Sequence, residues 1–189
     1  MKKDLGILPA VFPMPVLMIG TYDENGKPDV MNAAWGIVCD NDKIALFLSE
    51  DHKTVKNFMA TKAFTVSIAD KDHVEAADYF GIASGNDTED KFARTGLHQK
   101  KSSYVNAPVI EEFPVVMECE LADTIEKDGF FCVVGKIVNT AAEEKILSSD
   151  GKINPEKINA LLFDTFRNGY YTVGEKAGTA WDSGVGLMK

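Results

Sequence analysis

The chain has 189 residues, 45% of them hydrophobic and 26% charged, which suits one folded domain with a sizeable core and excludes a disordered chain. Its 29 acidic residues outnumber its 20 Lys and Arg, giving a formal net charge of −9. That balance excludes nucleic acid and anionic membrane as general partners, since both are polyanions, and leaves a small anionic ligand dependent on a local basic pocket.

The first stretch, "MKKDLGILPAVFPMPVLMIG", resembles an export leader in having two Lys before an apolar run. Asp4 interrupts it, Pro9, Pro13 and Pro15 break it, and no small-residue cleavage site follows, so a cytoplasmic protein is expected. No run of about 18 apolar residues marks a membrane span. Residues 16–22, "VLMIGTY", form a strand candidate, and the Asn-Gly pair in "DENGK" marks a hairpin that returns through "PDVMNAAWGIV". A third strand is expected over 43–49. Val55, Phe58 and Met59 then fall at i, i+3 and i+4, which predicts a helix over 54–61 with Thr54 as its N-cap.

"AFTVSIAD" alternates Phe64, Val66 and Ile68, as a half-buried strand does. Helices are expected over 72–83 and, briefly, 88–95. Residues 96–113 are loop-rich, and the run from Pro114 gives two long strands joined at "EKDG". A charged surface loop, the apolar "INALLF" and a tail rich in Gly and aromatics complete the chain. Strands dominate and helices are short insertions, which points to a closed or nearly closed β-barrel with helices at its ends.

The chain lacks GxGxxG after a strand, GxxxxGK[ST], HExxH and GxSxG, so dinucleotide, P-loop, zincin and serine-hydrolase chemistry find no support. Cys39, Cys119 and Cys132 form no CxxC pair, and His52, His73 and His98 are widely spaced, so no metal site is expected. No carboxylate pair stands out as acid and base.

Two stretches remain. In "MNAAW", small side chains let a planar ligand lie against the backbone, and Asn32 offers a donor and an acceptor. Alternatively, Ala33 and Ala34 face close neighbours and Trp35 fills core. In "SEDHKTVKNF", Ser49 ends a strand and Lys53 and Thr54 open a helix. A helix N-terminus with a Lys and a hydroxyl suits phosphate, though an ordinary capped helix with a solvated Lys has the same sequence. Together the two suggest a phosphorylated planar cofactor.

The order and spacing of "PMPVLMIGTYDENGKPDVMNAAWG", "KIALFLSEDHKTVKNF" and "AFTVSIAD" resemble the flavin reductase-like FMN-binding split-barrel family. "DYFGIASGNDTEDKF" and "YYTVGEKAG" resemble its flavoredoxin-like subgroup, and the likeness covers nearly the whole chain. The resemblance implies a mainly β fold with short helices, a six-stranded antiparallel Greek-key split barrel over a single domain, 1–189. It further implies a homodimer with noncovalent FMN at its interface. Asn32, Ala33, Ala34 and Trp35 match the strand bordering the flavin ring. Ser49 and the Lys53-Thr54 pair match the phosphate turn, and His52 between them points either at the phosphate or to solvent. Ser84, Gly85 and Lys91 match a segment near the cofactor. Many relatives carry an Arg in the phosphate turn, where this chain has Glu50 and Asp51.

The implied function is an FMN-dependent oxidoreductase that moves electrons from NAD(P)H to an acceptor, with no side chain needed as general acid or base. An FMN electron carrier, served by a redox partner protein, is the alternative. Tyr170, Tyr171 and Trp181 in the tail suit either a dimer contact or packing onto their own subunit.

Overall fold

The computed structural model describes residues 1–188. In chain order its elements are β1 (Met14–Pro15), β2 (Leu17–Tyr22), β3 (Pro28–Ala33), β4 (Gly36–Asp40), β5 (Lys43–Phe47), α1 (Lys53–Thr61), β6 (Ala63–Ile68) and α2 (Val74–Ile82). They continue as β7 (Gln99–Lys101), β8 (Pro108–Ile110), β9 (Val115–Lys127), β10 (Phe130–Ala142), α3 (Pro155–Ile158), β11 (Leu161–Asp164) and β12 (Gly169–Thr172).

The main sheet has the order β3-β2-β6-β9-β10-β5-β4, every pairing antiparallel. Its two edge strands, β3 and β4, are consecutive in the chain with only Ala34 and Trp35 between them. Laid flat, seven strands would separate those edges by about 29 Å, whereas the three steps from Ala33 to Gly36 span roughly 10 Å. The sheet must therefore roll up until its edges meet. β3 and β4 are two halves of one bent strand, which pairs first with β2 and then with β5, and counted so, six strands close the barrel. The fourth strand of the barrel, β6, returns beside the first, β2, which makes the connection a Greek key.

The bend explains the small residues of "NAAWG". The Trp35 carbonyl accepts from the Phe47 amide at 2.8 Å, so pairing to β5 begins there. Gly36 sits where the barrel closes: a Cβ there would lie 2.6 Å from Leu17 Cδ1 and 2.8 Å from Leu46 Cδ2. Trp35 itself is 53% exposed and packs at a tilt on Phe163, so the alternative that it fills core fails. At a strand bend its side chain is thrown outward while Ala33 and Ala34 are buried.

Leu17, Ile19, Phe64, Val66, Leu46 and Val133 fill the barrel interior, and α1 caps one end by inserting Val55 and Phe58. Val16, Met18 and Val30 point the other way, yet they too are buried, under Ala77 and Phe80 of α2 and under Ile110 and Phe113. Both faces of β2 are thus covered, which is why "VLMI" is continuously apolar. The β9–β10 hairpin turns at Asp128 and Gly129, both at positive φ, and its far half runs out into solvent.

Three expectations need correction. His52, not Thr54, is the α1 N-cap, and Thr54 lies inside the first turn. The segment 88–95 is a series of turns ending in a 3-10 turn at Ala93–Thr95, because Phe92 is drawn inward to stack on Phe80 at 6.1 Å. The 72–83 helix is a 3-10 turn, Lys71–His73, followed by α2. Among the described residues, no helix is long and apolar enough to cross a membrane.

Candidate functional site

α1 begins without a side-chain cap: His52 makes no capping bond, and no acidic residue lies in the first turn. The first amides of the helix are thus free of a side-chain acceptor, and the positive end of the dipole points into a cleft of about 210 Å³. The loop 83–85 forms the opposite wall, and Asn86 ties it down by donating to the Asp51 carbonyl at 2.9 Å and accepting from Lys56 Nζ at 3.1 Å. Gly85 is required there, since a Cβ would sit 2.6 Å from Asp29 Oδ1 and 3.1 Å from Lys53 Cβ.

Lys91 sets the charge of the cleft. It is 4% exposed, yet among the described residues it makes no hydrogen bond. Its ammonium lies 3.9 Å from Asp29 Oδ1 and 5.9 Å from the centre of the Phe80 ring. Burial pushes its pKa down, and Asp29 partly opposes that shift. A buried cation with spare donors beside free helix amides has the chemistry that would suit an anion. His52 stands at the same place, with desolvation and the Lys91 charge lowering its pKa against a smaller opposing effect of Asp51. At neutral pH its imidazole is therefore neutral.

Asp29, 6% exposed, has no counterpart in the sequence expectations. Its Oδ2 accepts from the Thr54 hydroxyl at 2.6 Å. Thr54 thus spends its proton on Asp29 and can offer a ligand only its backbone N–H. An Asp beside Pro28 in a hairpin gave no sign of burial; only the pairing of β3 with β2 and the packing of α1 bring it next to Thr54 and Lys91.

The cleft gathers Asn32, His52, Lys53, Thr54, Ser84, Gly85 and Lys91, residues separated by up to 59 positions in sequence. Four expected residues lie elsewhere. The Ala33 side chain packs in the barrel interior with Leu17 and Leu46, so the space it leaves is core space. Ala34 is buried at the bend. Trp35 and Ser49 line a second, wider cleft of about 490 Å³ with Phe47 and Phe130, on the other side of the 49–52 turn. Glu50 and Asp51 line that second cleft, and Asp51 is still near enough to His52 to oppose the lowering of its pKa.

Tyr170 and Asp78 also bear on the site and were not expected there. Tyr170 reaches from β12 to donate to Asp78 Oδ1 of α2 at 2.9 Å, while Asn32 Nδ2 donates to the Ala77 carbonyl at 2.9 Å and to the Tyr170 oxygen at 3.4 Å. Tyr170 packs on Phe163, and Tyr171 on Phe12. Of the three tail aromatics, Trp181, 98% exposed, is the one in no aromatic pair among the described residues.

Comparison with known proteins places this geometry. A flavin reductase like domain matches residues 10–168. The structure of the flavoredoxin of Desulfovibrio vulgaris (Miyazaki F) superposes with a TM-score of 0.92 at 35% identity, covering 97% of this chain and 100% of that one. A flavoredoxin from Methanosarcina acetivorans gives 0.88 at 28% identity, covering 99% and 100%. A Bacillus subtilis (strain 168) protein, YdfE, is 23% identical over 184 residues, 88% of this chain and 86% of that protein.

Proposed function

Since the chain belongs to the flavin reductase-like domain family, we propose that it binds FMN noncovalently and works as an oxidoreductase, moving electrons from NAD(P)H to an acceptor. The observation that carries this reading is the unbonded, buried Lys91 ammonium facing the uncapped start of α1, a fit for a phosphate monoester. Lys53, the α1 amides and Lys91 would hold the phosphate, with His52 beside them. Asn32, Ser84 and Gly85 would line the chain that follows it. The backbone between Asn32 and Trp35 would border the ring.

When bound, the flavin supplies the redox chemistry, and the protein supplies binding, orientation and electrostatics. In the cleft, Asp29 accepts from Thr54 and lies 3.9 Å from the Lys91 ammonium. A cleft of about 210 Å³ is below the roughly 300–1,000 Å³ of complete ligand pockets, which supports a homodimer whose second subunit closes over the ring. The apolar Trp35, Phe47 and Phe130 around the neighbouring cleft suit such a contact.

A second reading, an FMN electron carrier served by a partner protein, is favoured by the 35% identity to a flavoredoxin. Anaerobic mixing of the yellow protein with NADH or NADPH separates the two. Bleaching of the flavin within minutes supports the reductase, whereas a flavin bleached by dithionite but by neither nucleotide supports the carrier. A colourless protein that takes up no added FMN overturns both.

A further inference from the structure

We propose that Tyr170 and Asp78 are positioning residues that hold the Asn32 amide with its oxygen turned into the cleft, as the acceptor for a hydroxyl of the flavin's ribityl chain. This rests on the FMN reading above.

The orientation follows from hydrogen-bond bookkeeping. The Ala77 carbonyl can only accept, so the Asn32 atom 2.9 Å from it must be Nδ2. The second Nδ2 hydrogen points to the Tyr170 oxygen at 3.4 Å. Tyr170 can accept it because its own proton is committed to Asp78 Oδ1 at 2.9 Å. Burial first, and then Asp78, push the phenol up to about 12, so the proton stays on the phenol and the donation runs one way, from Asn32 to Tyr170 to Asp78.

With both amide hydrogens spent, Oδ1 is the one polar atom of Asn32 left over. Among the described residues it has no hydrogen-bond partner, and it is not one of the buried polar atoms sealed from solvent. Asn32 lines the cleft together with Lys53 and Lys91, and we take Oδ1 as the atom it presents there. An Asn placed only to tie β3 to α2 has no need of an acceptor presented to open space.

The donor it meets is set by size. With a phosphate seated at Lys91, a cleft of about 210 Å³ leaves room for an open chain and not for a three-ring system. The chain next to the phosphate carries hydroxyl groups, each able to donate to Oδ1. Phe163 packs on the Tyr170 ring and β11 pairs with β12, so the C-terminal hairpin sets the position of an atom in the cofactor cleft.

The test is titration of the apoprotein with FMN and with its 2′-, 3′- and 4′-deoxyribityl analogues, followed by calorimetry or flavin fluorescence. The wild-type protein should bind one deoxy analogue about fivefold to tenfold more weakly than FMN, the range of one neutral hydrogen bond. Tyr170→Phe and Asp78→Ala should each bring that ratio toward one by weakening FMN while leaving the analogue unchanged. Asn32→Ala should abolish the ratio, and adding Tyr170→Phe to it should change nothing further. Thermal melting confirms folding, and Asp78→Ala, which removes the acceptor of the Tyr170 proton, carries the test if Tyr170→Phe melts early. Equal binding of all four ligands to the wild-type protein overturns the Asn32 assignment while leaving FMN binding intact. An unchanged ratio in both Tyr170→Phe and Asp78→Ala overturns the positioning role. Absence of FMN binding sinks the underlying reading itself.

Discussion

Replacing Lys91 with Met tests the anion seat directly. The thioether keeps most of the length and volume of the side chain and removes the charge together with its N–H donors. In the cleft, the ammonium is buried, has no hydrogen-bonding partner, and faces one carboxylate at 3.9 Å. A charge-assisted hydrogen bond to phosphate contributes about 1.5–3 kcal/mol. The bare Coulomb attraction at about 4 Å and an effective dielectric of 20 is about 4 kcal/mol, and Asp29 cancels part of it. A net loss of about 2 kcal/mol, or about 30-fold in Kd for FMN, is expected. Riboflavin lacks the phosphate and should change by less than about twofold. Fluorescence titration of apoprotein with both ligands measures this. A loss for FMN below about threefold, or an equal loss for riboflavin, would refute the placement of phosphate at Lys91.

Other substitutions probe the scaffold. Gly36→Ala puts a methyl 2.6 Å from Leu17 Cδ1 at the barrel closure and should cost about 1–3 kcal/mol, read as a lower urea midpoint. Ala33→Leu overfills the barrel interior, so a similar loss of stability is expected, with FMN affinity of the folded fraction kept within about threefold; a stable protein that no longer binds FMN would show that the Ala33 side chain, and not only its backbone, faces the ring. His52 gives a pH signature. Its folded pKa lies below 6.5, so as pH falls through that value the unfolded chain takes up the proton first, and stability is lost between 6.5 and the folded value. His52→Gln should therefore shrink the difference in urea midpoint between about pH 7.5 and about pH 5.5, and an unchanged difference would mean the imidazole titrates normally.

Much of this was legible in the chain. The Asn-Gly hairpin, the α1 periodicity and the long β9–β10 hairpin follow local rules: turn chemistry and the spacing of apolar residues act over a few positions. The start of α1 could be picked out as a candidate anion site because helix amides and a nearby Lys are local features. The residues quoted for the family likeness also led to most of the cleft: Asn32, His52, Lys53, Thr54, Ser84, Gly85 and Lys91 all line it.

Other features depended on distant contacts. "NAAWG" looked like a bare strand for a ligand to lie on, but much of its bareness serves the barrel closure, where Gly36 meets Leu17 and Leu46. The role of Thr54 changed because Asp29, 25 residues earlier, takes its proton. Tyr170 lies 138 positions from Asn32, and no periodicity links them. By itself, the sequence determined where the chain turns, which segments extend or coil, and which family it resembles, because those depend on neighbouring residues. Which side chains face one another across the closed barrel, and so which polar atoms are spent internally and which remain for a ligand, was decided only when the sheet rolled up and brought its two edges together.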